Sequence, residues 1–283
     1  MKQHRPYFVA IAVTFASLTS LLAACGGSSS SGEVSADCVP AHQFSTIADG
    51  TLTVATYDLP PFSKMERGEI TGVEGEIVKT IAAKECLTIT PNAVAAAAII
   101  PTVQAGRADL AVGDWYRTAA REEVISFSDP LYIDQMALIS KEGYTKISDL
   151  QGKTVGTVDG YLWVDDMKQY LGDSLKVYPS SLNMNQDLQA GRIDVGIDSF
   201  GSGALNNKDS DIKVSVAEPF DGVAASQEGA QAGLPVQKSN PELLAALNAD
   251  LAEMHANGDI ARILTENGLE ASAADVGEPR LIG

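Results

Sequence analysis

QAGRADLAVGDWYRTAAR, residues 104–121, sets a pattern that the chain uses twice. Gln104 and Ala105 close a helix, Gly106 turns the backbone, and residues 109–112 make a short apolar strand. An irregular polar loop follows, carrying Asp114, Trp115, Tyr116 and Arg121. The opening recurs 85 residues later as Gln189-Ala190-Gly191-Arg192-Ile193-Asp194, followed by a strand at 195–197 and a polar loop from Asp198. A repeated helix end, turn, strand and loop predicts two similar α/β units. Ligands of open α/β sheets sit outside the carboxyl ends of the strands. Two such sheets facing each other would put both polar loops into one cleft.

The chain has 283 residues, enough for one large domain or two ordinary ones, and 45% of them are hydrophobic. A buried core is therefore within reach, and global disorder is excluded. A formal charge of −17 argues against nucleic acid, whose phosphates need a cationic surface. Solubility alone accounts for the acidity.

Residues 1–24 read as a secretory signal peptide: Lys2 and Arg5 open a basic start, and an apolar run at 7–24 ends in small residues. A retained membrane span is the competing reading, but Thr14, Ser17, Thr19 and Ser20 make the run a poor one. The run closes on Leu22-Ala23-Ala24-Cys25, which resembles the bacterial lipobox and implies lipidation at Cys25. Residues 25–37, with GGSSSSG at 26–32, then form a flexible tether. The remaining cysteines, Cys38 and Cys86, form an even pair in an exported, oxidising compartment. We expect them to be disulfide-bonded; two buried thiols are the alternative. The histidines are His4, His42 and His255, and no metal-ligand spacing connects them, so neither metal nor cofactor is expected.

Along the chain, residues 51–56 alternate and are β-branched, predicting a strand that Pro60 and Pro61 end. Ile77, Val78, Ile81 and Ala82 form a helical stripe over 74–85. Strands are predicted at 87–90 and 135–140, with a helix from about Ala96 to Gln104. A second unit has strands at 153–158, 175–178 and 214–216, a further candidate at 223–225, and helices at 164–170 and 183–190. Asn240-Pro241-Glu242 is a helix start with a cap, a first-turn proline and an acid facing the dipole. Leu243, Leu244, Leu247, Leu251 and Met254 are its buried stripe, and Asp259–Glu266 a final short helix. Residues 271–283 lack periodicity and read as a loose tail.

These landmarks resemble the family-3 extracellular solute-binding proteins, the receptors of polar amino-acid ABC importers. The matches run in order through Gly50-Thr51-Leu52-Thr53-Val54-Ala55, Pro60-Pro61-Phe62, Thr71-Gly72-Val73-Glu74-Gly75-Glu76 and Ile100-Pro101. They continue through the 104–109 motif, Arg121 with Phe127-Ser128-Asp129-Pro130, the stretch Asp149 to Gly156, and Asn240 to Leu244. The resemblance spans roughly 50–270. It implies a two-lobed, type II periplasmic-binding-protein-like α/β fold with two hinge crossings, near 132–136 and 223–234, and a ligand trapped by closure. Lobe 1 would comprise residues 38–134 with 229–270, and lobe 2 residues 135–228.

The resemblance also makes Arg121, six residues before Phe127, the clamp for a ligand carboxylate. Its planar fork suits two charge-assisted hydrogen bonds. Tyr57, Trp115, Tyr116, Tyr161 and Trp163 fall just after predicted strands and would line the pocket, with ordinary packing as the alternative. Asp58, Asp114, Asp159 and Asp198 also lie at strand ends. They suit a ligand cation, helped by aromatic faces, or serve as turn and helix caps. The chain departs from the family pattern at four places. Tyr116 replaces a Ser or Thr, and Gly160-Tyr161 a Gly-Thr or Gly-Ser. Ser199 holds the usual ammonium-binding aspartate offset with Asp198 one earlier, and alanines fill 95–98. The scaffold is conventional and the pocket is not, which suggests an amino acid or organic cation as ligand. The expected protein is a monomeric receptor, held to the outer face of the membrane by lipid and serving an ABC permease. Alternatives on the same scaffold are an enzyme like the cyclohexadienyl dehydratases and a ligand-sensing domain.

Overall fold

A computed structural model describes residues 1–2, 34–35 and 37–283 of the chain. Most of the expected signal peptide, the expected lipidation site Cys25 and the GGSSSSG stretch lie outside the described residues. Met1–Ser31 and Gly32–Gly283 are separate units, and the second carries the fold.

In chain order its elements begin with β1 (Thr51–Thr56), a small hairpin of β2 (Lys64–Glu66) and β3 (Glu69–Thr71), and α1 (Val73–Lys84). Next come β4 (Thr88–Ala93), α2 (Ile99–Gln104), β5 (Leu110–Ala111), the one-turn α3 (Ala119–Glu122) and β6 (Ser126–Phe127). The chain crosses on β7 (Tyr132–Asp134) into β8 (Met136–Ser140), β9 (Val155–Val158), α4 (Val164–Leu171) and β10 (Leu175–Tyr178). It continues through α5 (Ser181–Gln189), β11 (Val195–Ser199), α6 (Phe200–Asn207) and β12 (Lys213–Val216). It returns on β13 (Ala230–Ala232) to β14 (Pro235–Val236), α7 (Pro241–Ala256) and α8 (Asp259–Glu266).

Two five-stranded sheets result, ordered β4-β1-β5-β14-β6 in lobe 1 and β10-β9-β11-β8-β12 in lobe 2. Strands β1, β4 and β5 are mutually parallel, as are β9, β10 and β11. The two crossing strands pair antiparallel with each other, Tyr132 opposite Ala232 and Asp134 opposite Ala230. One face of each sheet buries β-branched and aliphatic side chains against helices. Leu52, Val54, Ile77 and Val78 meet Leu243, Leu247, Leu251 and Met254 in lobe 1; Val155, Val195 and Ile197 meet Trp163 and Met167 in lobe 2.

The repeated motif lies at the centre of each sheet, as β5 and β11, and it repeats down to single bonds. Gly106 (φ 66°) and Gly191 (φ 68°) take the left-handed conformation that stops α2 and α5. Arg107 N donates to Thr102 O and Arg192 N to Asp187 O, closing each helix end. The Asp109 carboxylate accepts Thr53 N at 2.7 Å, and that of Asp194 accepts Thr154 N at 2.7 Å. Each aspartate thus ties the start of its strand to the neighbouring one, which is why the pattern reads the same in both halves.

The Cys38–Cys86 disulfide is formed, with Cα atoms 5.8 Å apart. Beside it His42 N donates to Glu85 Oε2 at 3.0 Å, and Lys84 Nζ lies 2.7 Å from the buried Asp250 of α7. The Lys84 ammonium supplies a positive charge to this acidic group.

Three expectations are corrected. Residues 271–283 are not loose. Gln231 of β13 donates to Val276 O and Glu278 O, both at 2.8 Å, and accepts Arg280 N at 2.7 Å. Ile282 N donates to Arg117 O, and Ala119 N to Ile282 O, at 2.9 Å each. The tail is held by a side chain and a loop far away in sequence, which periodicity does not register. Residues 223–225 do not complete the sheet; Ala224–Ser226 is a single 3-10 turn. The chain after Asp198 is helical rather than a loop, because Ser199 caps α6 by accepting Ser202 N at 3.3 Å.

Candidate functional site

The carboxyl ends of β1, β5, β9 and β11 meet at the lobe junction, and the candidate site is built on the loops that leave them. The loop after β5 is held by an acid. Glu74, at the start of α1 and fully buried, accepts Gly113 N at 2.5 Å, Asp114 N at 2.8 Å, and the Tyr132 hydroxyl. Burial pushes its carboxyl up to about 7, against the opposing pull of those three donors. Gly113 (φ 126°) and Asp114 (φ 57°) both have positive φ. At Asp114 a side chain is placed at a steric cost. A Cβ at position 113 would run into the Tyr57 ring, whose hydroxyl donates to Gly113 O at 2.8 Å.

The loop then runs alongside the return crossing. Arg117 N donates to Gln231 O and Gly233 N to Trp115 O, both at 3.0 Å. Residues 115–117 are thus fixed to the hinge strand itself. Thr118 caps α3 by accepting Arg121 N at 3.1 Å, which aims the Arg121 side chain back over the loop. Its guanidinium donates to Tyr116 O at 2.9 Å, and across the junction to Gly160 O of lobe 2 at 3.3 Å. It also lies 4.8 Å from the centre of the Trp115 ring, within cation–π range. Burial draws its basicity down to about 10, partly offset by Tyr57 and Asp114.

Tyr57, Leu59, Trp115, Tyr116, Tyr161, Leu162 and Trp163 wall the cavity beneath Arg121, with Asp114, Gly160 and Ser199. Edge contacts chain the rings together: Tyr57 with Trp115, Tyr116 with Trp163, and Tyr161 with Trp163. The Trp163 indole donates to Thr157 Oγ1 at 2.7 Å, so it is both wall and core of lobe 2. The cavity measures about 20 Å³, room for about one water. The lobes are thus drawn together over the site. A Cβ on Gly160 would lie 2.8 Å from the backbone of Ala97, and one on Gly201 2.6 Å from the Phe62 ring of lobe 1. The alanines at 96–97 and the glycine at 160 let the two backbones touch.

Acids surround this wall. Asp114 and Asp198 are buried, as is Asp134 at the end of β7. Asp134 accepts the Tyr116 hydroxyl at 2.8 Å and Gly201 N at 3.2 Å. Asp198 accepts the Ser181 hydroxyl and Ser199 N, and burial pushes it up to about 6. Among the described residues the Tyr161 hydroxyl makes no well-formed hydrogen bond, although Tyr57 and Asp198 are its polar neighbours.

Two expected site residues lie elsewhere. Asp58 is exposed and caps the β2–β3 hairpin by accepting Met65 N at 2.8 Å. Asp159 is exposed and absent from the cavity wall. Asp58 thus serves the turn chemistry common for aspartate. The other nine expected residues come together, eight on the wall and Asp198 just behind Ser199. Glu74 and Asp134 were missed. Glu74 sits in a stretch already marked by Gly72 and Gly75, and an acid amid the buried stripe of α1 was its one local signal.

Two α/β lobes, two crossing strands and an aromatic, charged cleft between the strand ends define a type II periplasmic-binding-protein fold. Residues 52–269 match the bacterial extracellular solute-binding proteins, family 3, and the chain belongs to that family. It is 29% identical over 221 residues to the L-cystine-binding protein TcyJ of Escherichia coli K12, covering 75% of this chain and 80% of that protein. It is 26% identical over 270 residues to the arginine-binding extracellular protein ArtP of Bacillus subtilis 168, covering 93% and 96%. The structure of an ancestral arginine-binding protein bound to arginine is also similar, with 28% identity and a TM-score of 0.68 over 77% of this chain and 98% of that one.

Proposed function

We propose that this protein is a lipid-anchored extracytoplasmic receptor of an ABC importer. It takes up an amino acid or related nitrogenous compound as its lobes close, and delivers it to a membrane permease. One observation carries the reading: a half-buried arginine stands at the junction of the lobes, over an aromatic wall, bonded to carbonyls of both. A guanidinium whose hydrogen-bond partners among the described residues are neutral carbonyls gains two charge-assisted bonds when a carboxylate replaces them. Ser199, facing the cavity, and Asp198 behind it would receive the ligand's ammonium group. The relatives' names, binding proteins for cystine and arginine, support a receptor over a dehydratase. Hinge motion about β7 and β13 would open the cleft, with lobe 1 as residues 38–134 and 229–270 and lobe 2 as 135–228.

A thermal-shift screen of the twenty amino acids tests this. A ligand that binds the folded state raises the midpoint in proportion to the logarithm of its concentration. Arg121→Ala should abolish the shift, and an undiminished response would remove Arg121 from its role. Turnover of prephenate by the purified protein would favour the enzyme instead.

A further inference from the structure

The last residues of the chain build on to the hinge. β13 pairs with β7 on one side, and on the other Tyr116 bridges to Ala232 in antiparallel register. Two residues further along that loop, Thr118 bridges in parallel to Ile282. Ile282 N donates to Arg117 O and Ile282 O accepts Ala119 N, both at 2.9 Å, so the tail grips the backbone on either side of Thr118. Ile282 is thus the outer edge of a ribbon that contains both crossings and the loop bearing Arg121. Chain ends stay loose unless something ties them down. Here the buried Gln231 accepts Arg280 N at 2.7 Å and Arg117 Nη1 at 3.0 Å through the same oxygen, and Arg117 Nη1 donates to Arg280 O at 2.9 Å. Arg280 reaches in turn to Gly229 O and Glu228. Ala273 and Ala274 pack on the lobe 1 core, whereas Ile282 packs into the cluster that joins Tyr116 to Met136 and Leu138 of lobe 2. The segment therefore runs from lobe 1 across the hinge.

The direction of Arg121 depends on this ribbon. α3 is a single turn of four residues, too short to hold itself in water. Its start is set by Thr118, which is extended (φ −129°, ψ 149°) and buried, with its hydroxyl accepting Arg121 N. The guanidinium then rests on Tyr116 O and on Gly160 O. Gly160 belongs to lobe 2 and is withdrawn when the hinge opens. In the open cleft the Tyr116 carbonyl and the Thr118 cap are what remain, and both lie in the stretch gripped by β13 on one side and Ile282 on the other.

We propose that the C-terminal residues Arg280–Gly283 are a positioning element of the ligand clamp, in which Ile282 holds residues 117–119 so that Thr118 presents Arg121 to an incoming carboxylate before the lobes close. This role rests on the cleft being an amino-acid site. None of the cavity-lining residues belongs to the tail, so its effect on binding passes through the loop. Holding the loop in advance spares the ligand the cost of ordering it.

A chain ending at Leu281 keeps the Gln231 bonds and loses those of Ile282. Of the twenty amino acids, the one that most raises the unfolding midpoint of the full chain is titrated by calorimetry into both chains. Affinity for the shortened chain should be about tenfold or more weaker, the value of one charge-assisted hydrogen bond no longer aimed. Amides of residues 117–121 should exchange with deuterium faster, and those of α7 at an unchanged rate. Cys38→Ser with Cys86→Ser is the control, because it lowers stability without touching the loop and should leave affinity within about twofold. Ile282→Pro removes the N–H alone; it should weaken binding too, and it decides the matter if the shortened chain fails to fold. Equal affinities for the full chain and these tail variants overturn the role of the tail and leave the amino-acid receptor standing. So does an equal loss of affinity in the disulfide variant, which would make the effect one of stability alone. If none of the twenty amino acids binds the full chain, both readings fall.

Discussion

Glu74 and Asp198 are acids whose folded environment favours the proton. Glu74 rises from 4.5 to about 7 and Asp198 from 3.8 to about 6, each chiefly by burial. Between the ordinary and the raised value the unfolded chain has given up its proton while the folded chain keeps it. Unfolding therefore releases protons, and these two groups lower stability as pH rises from about 4 to about 7. At about 1.4 kcal/mol per unit, each is worth about 3 kcal/mol. The midpoint of thermal unfolding should fall across that window, and Asp198→Asn should make the fall shallower; an unchanged slope would mean Asp198 is not held protonated. Arg121 and the tryptophans were legible in the sequence, because the spacing to Phe127 and the positions after strands mark them. Asp134 was not: its importance comes from Tyr116 and Gly201, 18 residues before it and 67 after it. Asp58 and Asp159 misled for the converse reason, since a strand-end aspartate reads the same whether it caps a turn or faces a ligand.

Elements with a strong period of their own were read almost to the residue. Helices α7 and α8 fall where the Asn240 cap and the leucine stripe put them, and β10 occupies 175–178. What escaped depends on partners: the short β6 and β14 pair with each other at the sheet edge, and the 271–283 segment is pinned by Gln231. Removing residues 276–283 should therefore leave buried Gln231 and Arg117 groups without partners, costing about 1–3 kcal/mol each. Chemical denaturation of the truncated chain would show it, and an unchanged midpoint would return the segment to the status of a loose tail. The contact between the loop after β9 and the turn before α2 carries a second prediction. Gly160 has φ 84°, and a Cβ there would meet Ala97 N and Cα at 2.8 Å. Gly160→Ala should keep both lobes folded, by circular dichroism, yet hold them apart. Small-angle scattering with ligand should give a larger radius than wild type, and affinity should fall about tenfold or more, the effect of losing a closed geometry worth about 1.4 kcal/mol. Equal radii and affinities would show that closure does not pass through this contact.

Across the whole molecule, stability and ligand capture are placed at opposite ends of the parallel strands. β1 runs from Thr51, beside the disulfide-anchored segment, to Thr56, beside the cleft. Six residues of strand separate the two ends by about 17–20 Å. The staple joins Cys38 to Cys86 across 48 residues, and His42 and Lys84 add their contacts to Glu85 and Asp250 on the same side. Closing a loop of that size stabilises by about 2–4 kcal/mol through the restricted unfolded chain, whereas none of the cavity-lining residues lies on this side. Reduction with a thiol, or Cys38→Ser with Cys86→Ser, should thus lower the unfolding midpoint by roughly 4–16 °C, at about 2–4 °C per kcal/mol for a body of this size. Limited proteolysis should then cut first around residues 38–50. Affinity for the ligand should stay within about twofold, since neither the hinge strands nor the strand tips move. A loss of binding in step with the loss of stability would mean that the N-terminal segment reaches the cleft through the sheet, and the separation argued from strand direction would be wrong.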